Sequence, residues 1–188
     1  MSPALVPARP RLRTFVATVE DVPGVLNRVA SLFRRRGYNI TSLTVGQSEL
    51  SGLSRLTIVV ACDDATAARL EANLWKLVDL VEVHELAAGE AVERDLALIK
   101  VKADKTTRAQ VVQAVELFAG RVVDVAPDEL VVEIAATRER VDDLRRVLET
   151  FGVVALVRTG AIAMPRAGVD DPTRTQSQSQ SQKSASGT

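Results

Sequence analysis

The sequence predicts an α+β fold of two consecutive ferredoxin-like βαββαβ units, and three observations carry that expectation. Apolar positions alternate between a strand-like period of two and a helix-like period in the order strand, helix, strand, strand, helix, strand. A similar order recurs after Gly89-Glu90, although residue-by-residue similarity between the halves is slight. The C-terminal stretch VDDPTRTQSQSQSQKSASGT has almost no large apolar side chain to offset its ordering entropy and is expected to be disordered. The expected divisions are a flexible lead-in over 1–11, a first unit over 12–88, a second over 94–166 and a tail over 167–188.

Each element has its own signal. Over 13–19, Phe15, Ala17 and Val19 share one face of a strand. Leu26, Val29, Ala30 and Phe33 then recur as one face of a helix, with Pro23 in its first turn and Gly37 as a left-handed stop. Strands follow over 39–45 and 54–62, joined by a polar loop; Leu56, Ile58, Val60 and Cys62 share a face. Asp64 is the expected N-cap of a helix running through Val78, with Leu70, Leu74, Leu77 and Val78 as its apolar stripe and Trp75 in partial core packing. A strand over 81–86 closes the unit. In the second unit the expected elements are a strand over 95–103, a helix over 106–118, strands over 122–125 and 129–135, a helix over 137–151 and a strand over 153–162. Both helices of a unit lie on one face of its antiparallel sheet.

Composition excludes several classes of function. Lys+Arg and Asp+Glu both number 24, so no global field favours nucleic acid or a membrane surface. The apolar runs are too short to span a bilayer, and prolines stand where an export signal needs an apolar core, so a cytoplasmic protein is expected. One Cys and one His, far apart, argue against a closed metal site. Cys62 reads as a small buried hydrophobe and His84 as a half-exposed strand residue. No two of the ten glycines are two residues apart, which removes GxGxxG, and the GxxxxGK[ST] loop is also absent. Arg34, Arg35 and Arg36 complement the dipole at a helix end.

One segment points to chemistry. In EDVPGVLNRVASLFRRRGYNI, a helix opens on Pro23 and Gly24. A helix N-terminus presents N–H groups without intrahelical partners, and a residue without Cβ lets a small anion approach them. Gly24, Val25 and Leu26 thus form a candidate carboxylate seat. Asp21, just before it, suits an ammonium group and equally suits capping. An anion seat beside a cation partner describes an α-amino acid.

The stretch TVEDVPGVLNRVASLFRRRGYNI, followed by SLTVG and SRLTIVV, resembles the ACT domain of acetolactate synthase small subunits. ERDLALIKV, VELF, VVDVAPD and RTG resemble the C-terminal domain of that family, so the likeness covers about 12–166. The resemblance implies a non-catalytic regulatory subunit in branched-chain amino acid synthesis. Its partner is a catalytic large subunit carrying thiamine diphosphate, Mg and FAD; this chain holds no cofactor and no catalytic residue. It implies stimulation of that subunit and feedback inhibition by an effector amino acid, typically valine, bound between two ACT domains of a homodimer. Carried over by position, the effector site uses Asp21, Gly24, Val25 and Leu26 with Asn39 and Ile40. Asn39 reads equally well as a turn residue entering a strand. Asp21, where the family often has Asn, and Thr41, where Glu is common, bear on effector preference. The rival is a transcriptional or other allosteric regulator with an amino-acid-sensing module, although no basic recognition helix precedes the first strand.

Overall fold

The computed structural model describes residues 10–87 and 89–169. The element order is β1 (Arg11–Glu20), α1 (Val25–Arg36), β2 (Ile40–Gln47), β3 (Leu53–Cys62), α2 (Asp64–Leu74), β4 (Leu80–Leu86), β5 (Ala91–Lys102), α3 (Arg108–Leu117), β6 (Arg121–Val125), β7 (Glu129–Ala136), α4 (Arg138–Glu149) and β8 (Val153–Pro165). These elements build two four-stranded sheets, ordered β2-β3-β1-β4 and β6-β7-β5-β8, and the fold is two ferredoxin-like units. The compact units divide between Val92 and Glu93, with residues 163–169 belonging to the first. The tail expected to be disordered lies outside the described residues beyond Val169, as does the lead-in before Pro10.

In the first unit, β1 pairs antiparallel with β3 over its full length and with β4 on its other side. Phe15, Ala17 and Val19 meet Leu56, Ile58, Val60 and Cys62 on one sheet face. Val29, Leu32 and Phe33 of α1 and Ala67, Leu70 and Leu74 of α2 close over that face, so both helices share one core. Burial of each large apolar side chain contributes roughly 1.5–3 kcal/mol before entropy is charged against it. Cys62 is buried there, and the loss of solvation pushes its thiol pKa up, against the opposing pull of Arg13. In the second unit Ala97, Ile99 and Val101 of β5 pack with Val132 and Ile134 of β7 under Val111, Val115, Val141, Leu144 and Leu148 of the helices.

Three expectations are corrected. The N-cap of α2 is Asp63, whose Oδ1 accepts from the Thr66 N–H at 2.7 Å; Asp64 is the first helical residue. That helix ends at Leu74, because Lys76 and Leu77 donate to carbonyls only three residues back, at 3.2 and 2.9 Å, and tighten the chain into turns. Val78 is therefore 83% exposed and Trp75, at the C-cap, 48% exposed, outside the core that the sequence assigned to them. Leu77 does pack against that core. The turn brings Asp79 back to β1, where its carbonyl accepts from the Glu20 N–H at 2.9 Å.

Candidate functional site

The β1–α1 connection has a geometry that its sequence only partly announces. α1 begins at Val25, and Gly24 is its N-cap in the left-handed region, φ 90°. Pro23 therefore precedes the helix rather than standing in its first turn. A β-carbon added at Gly24 would meet no heavy atom within 4 Å, so the space in front of the helix is open. Glycine is favoured here for its backbone handedness.

The donors at this helix mouth are uncapped. Gly24 lends α1 no side-chain cap, and no acidic residue stands in the helix's first turn. Asp21 uses its backbone N–H, which donates to the Gly52 carbonyl of the β2–β3 turn at 2.8 Å; its carboxylate does not serve as the helix cap. The Val25 N–H is turned toward the Val22 carbonyl at 3.3 Å, and the first helical bond runs from Arg28 N–H to Gly24 carbonyl at 3.1 Å. A carboxylate seat at this mouth would draw mainly on the amides of Gly24 and Leu26, with Asn27, and less on Val25, whose side chain is buried in the core. Asp21, Gly24 and Leu26 are exposed.

Two residues missed in the sequence hold this mouth in place. Asp79, nearly buried, pairs with Arg28 on the first turn of α1. Its partner is 51 residues away, a separation no local pattern reveals, although a carboxylate between the apolar pairs of LVDLV is a signal. Gly52, which anchors Asp21, is the second.

Asn39 and Ile40 lie elsewhere. Gly37 caps α1 in the left-handed region, with the Tyr38 N–H reaching Phe33 carbonyl at 3.0 Å, and the chain then enters β2. Asn39 is exposed just before the strand, and Ile40 is half-buried against the core of the first unit. Ile40 pairs with Val60 on β3, whereas Glu20, which leads into the Asp21–Gly24 turn, pairs with Leu53. Seven positions of strand, about 23 Å at roughly 3.3 Å per residue, separate the two ends. The first unit of one chain therefore does not bring Asn39 and Ile40 to the Gly24 mouth.

Other residues singled out by the sequence have structural partners. His84 is half-buried on β4 with its Nε2 2.7 Å from Glu82 Oε1. Arg34, Arg35 and Arg36 occupy the last turn of α1. Among the described residues no group of His, Cys, Asp and Glu could hold a metal ion, and no helix is long and apolar enough to cross a membrane. Asp104, which the sequence reading passed over, gathers the N–H and hydroxyl groups of both Thr106 and Thr107 before α3. These bonds, the Thr106 hydroxyl first, hold its carboxyl pKa down to about 2.

Comparison with known proteins places both units. Residues 15–82 match the model for the AHAS small subunit-like ACT domain, and residues 94–167 match the model for the small subunit of acetolactate synthase. The acetolactate synthase small subunit of Mycolicibacterium smegmatis is 44% identical over 153 residues, covering 81% of this chain and 90% of the relative. Its counterpart from Mycobacterium bovis is 44% identical over 157 residues, covering 84% and 94%. The crystal structure of the acetolactate synthase small subunit from Thermotoga maritima superposes with a TM-score of 0.79 at 40% identity, covering 85% of this chain and 99% of that one.

Proposed function

The chain belongs to the family of acetolactate synthase small subunits, and on that premise we propose that it makes its large subunit sensitive to valine through a site shared by two copies of itself. The family membership makes it a regulatory subunit with a catalytic large subunit as partner. What remains is how the regulation works.

The observation that carries the proposal is the separation of the two half-sites across one unit. β2 is an edge strand with an unpaired side, a position that is normally paired or protected. Two copies pairing antiparallel through β2 would merge two four-stranded sheets into one of eight. Such pairing sets the Ile40 end of one β2 beside the Gln47 end of the other. Gln47 pairs with Ser54, next to the Leu53 that faces Glu20, so that end of the sheet is the one carrying Gly24. Asn39 and Ile40 of one copy then complete the mouth of the other. The amides of Gly24 and Leu26 hold the effector carboxylate, Asp21 its ammonium group, and Ile40 offers apolar contact to its side chain.

Valine acts by favouring one arrangement of the dimer, and it shifts activity only by its difference in affinity for the two, commonly about 1–3 kcal/mol. Leucine and isoleucine differ from it by one methylene, worth roughly 1–3 kcal/mol in a shaped pocket, so selectivity among them is graded. Thiamine diphosphate, Mg and FAD belong to the large subunit in this reading. The test is acetolactate formation by this chain, by the large subunit, and by their mixture with and without valine. Stimulation on mixing and suppression by valine are expected. A mixture no faster than the large subunit alone removes the activating role, and a stimulated mixture indifferent to valine removes the effector.

A further inference from the structure

The turn between α2 and β4 leaves large apolar side chains in solvent. Trp75, the chain's single tryptophan, is 48% exposed, Val78 is 83% exposed, and Val22, two residues past the end of β1, is 37% exposed. Asp79 draws them to one end of the first unit. Its carbonyl accepts from the Glu20 N–H at 2.9 Å, and its carboxylate pairs with Arg28 on the first turn of α1. Glu20 and Arg28 bracket the Asp21–Gly24 turn, so the residue next to Val78 grips both sides of the effector mouth. Together the three side chains expose roughly 300 Å² of apolar surface, a size that on a soluble protein is often functional.

We propose that this patch docks the catalytic large subunit. With a second copy paired along β2, the reading on which this inference rests, that copy leaves the patch open. β2 and β4 are opposite edges of one sheet, three strand spacings or about 14 Å apart. The family membership supplies one other partner, the large subunit. To respond to an effector, that partner must touch a surface coupled to the mouth, and the two bonds of Asp79 couple this turn to it. A patch of about 300 Å² is well short of the roughly 800 Å² per partner of a specific interface, so it is the anchor of a wider contact. Tryptophan and arginine are the residues that most often carry the affinity at such an anchor. The rim presents Arg28, 46% exposed, and exposed Lys76 on the helix side, with exposed Glu20 on the strand side. The complementary cleft on the large subunit is therefore apolar at its centre, with a carboxylate facing the helices.

The test titrates the large subunit with the full-length chain and reads acetolactate formation together with complex formation by sedimentation. Val78→Asp is the main variant, because a side chain so exposed is replaced at little cost to folding. Trp75→Ala is the second. Both are expected to raise the concentration for half-maximal stimulation about tenfold, with self-association and valine affinity by isothermal titration left at the parent's values. In the chain alone, saturating valine is expected to shift the emission of Trp75; an unmoved spectrum overturns the coupling that selects this surface. Variants that bind and stimulate like the parent overturn the inference and leave the regulatory reading standing. Variants that lose self-association in place of the large subunit overturn the choice of partner. Weakened docking in a parent complex indifferent to valine upholds the patch and removes the effector, and a parent that does not bind the large subunit removes both.

Discussion

Replacing Gly24 by aspartate separates the seat's two requirements, shape and charge. At φ 90° any L side chain is strained by roughly 1–2 kcal/mol. The new carboxylate lies at the N-terminus of α1 and recovers about 0.3–1 kcal/mol from the helix dipole. The net cost is near 1 kcal/mol against the 5–15 kcal/mol typical of a folded domain, so the variant folds. Its Cβ meets nothing within 4 Å, so no neighbour has to move. Binding should change far more. Two like charges about 4 Å apart repel by about 4 kcal/mol at an effective dielectric near 20. The mouth is exposed, and screening halves that to about 2 kcal/mol, or roughly a thirtyfold loss of valine affinity. Gly24→Asn has nearly the same shape, tolerates the left-handed backbone and carries no charge, so its loss should stay under about tenfold. Isothermal titration with valine, alongside acetolactate formation by the mixed subunits, reads both variants. Gly24→Asp binding valine within about threefold of the parent at an unchanged melting temperature would refute the carboxylate seat.

Two further predictions address what holds the scaffold. Asp104 has a folded pKa near 2, below its unfolded value, so its stabilisation is present above the ordinary carboxyl range and is lost as pH falls from about 4 toward 2. Asp104→Asn should melt lower near neutral pH and lose part of that acid dependence; melting curves that coincide at every pH would mean that the two threonines do not need the charge. Arg28→Ala leaves Asp79, whose side chain is 10% exposed, without its partner, while Arg28 itself is 46% exposed and already partly screened. A loss of about 1–2 kcal/mol is expected, seen as a fall of roughly 2–8 °C in melting temperature. An unchanged melt would show that solvent already satisfies Asp79.

The elements were legible where one physical signal dominated. Phe15, Ala17 and Val19 alternate because β1 has its core on one face; Leu26 and Ala30, read onto the apolar face of α1 with Val29 and Phe33, are exposed, and the buried face is Val25, Val29, Leu32 and Phe33, because a helix seen only as a period does not say where its first turn begins. Left-handed Gly24 decides that start, and one sequence cannot distinguish glycine used for handedness from glycine used for room. The end of α2 was misplaced because Leu77 and Val78 continue its apolar period. That helix stops where Lys76 and Leu77 turn to carbonyls three residues back, which the apolar period does not show. Asp104 was passed over because its value lies in two following threonines that look like ordinary helix-start residues.

The candidate site raises a question of distance. A helix of 12 residues is about 18 Å long, so residues flanking its two ends cannot both touch one amino acid. Gly24 and Asn39 flank the two ends of α1. If both contact the effector, the contact crosses between copies, and occupancy becomes a statement about association: a ligand that binds only the paired form stabilises pairing by mass action. A mouth that worked alone would respond to valine in a monomer. The dependence of valine affinity on protein concentration therefore separates the two architectures, and an affinity independent of concentration across the monomer–dimer transition would leave Asn39 and Ile40 with no part in the site.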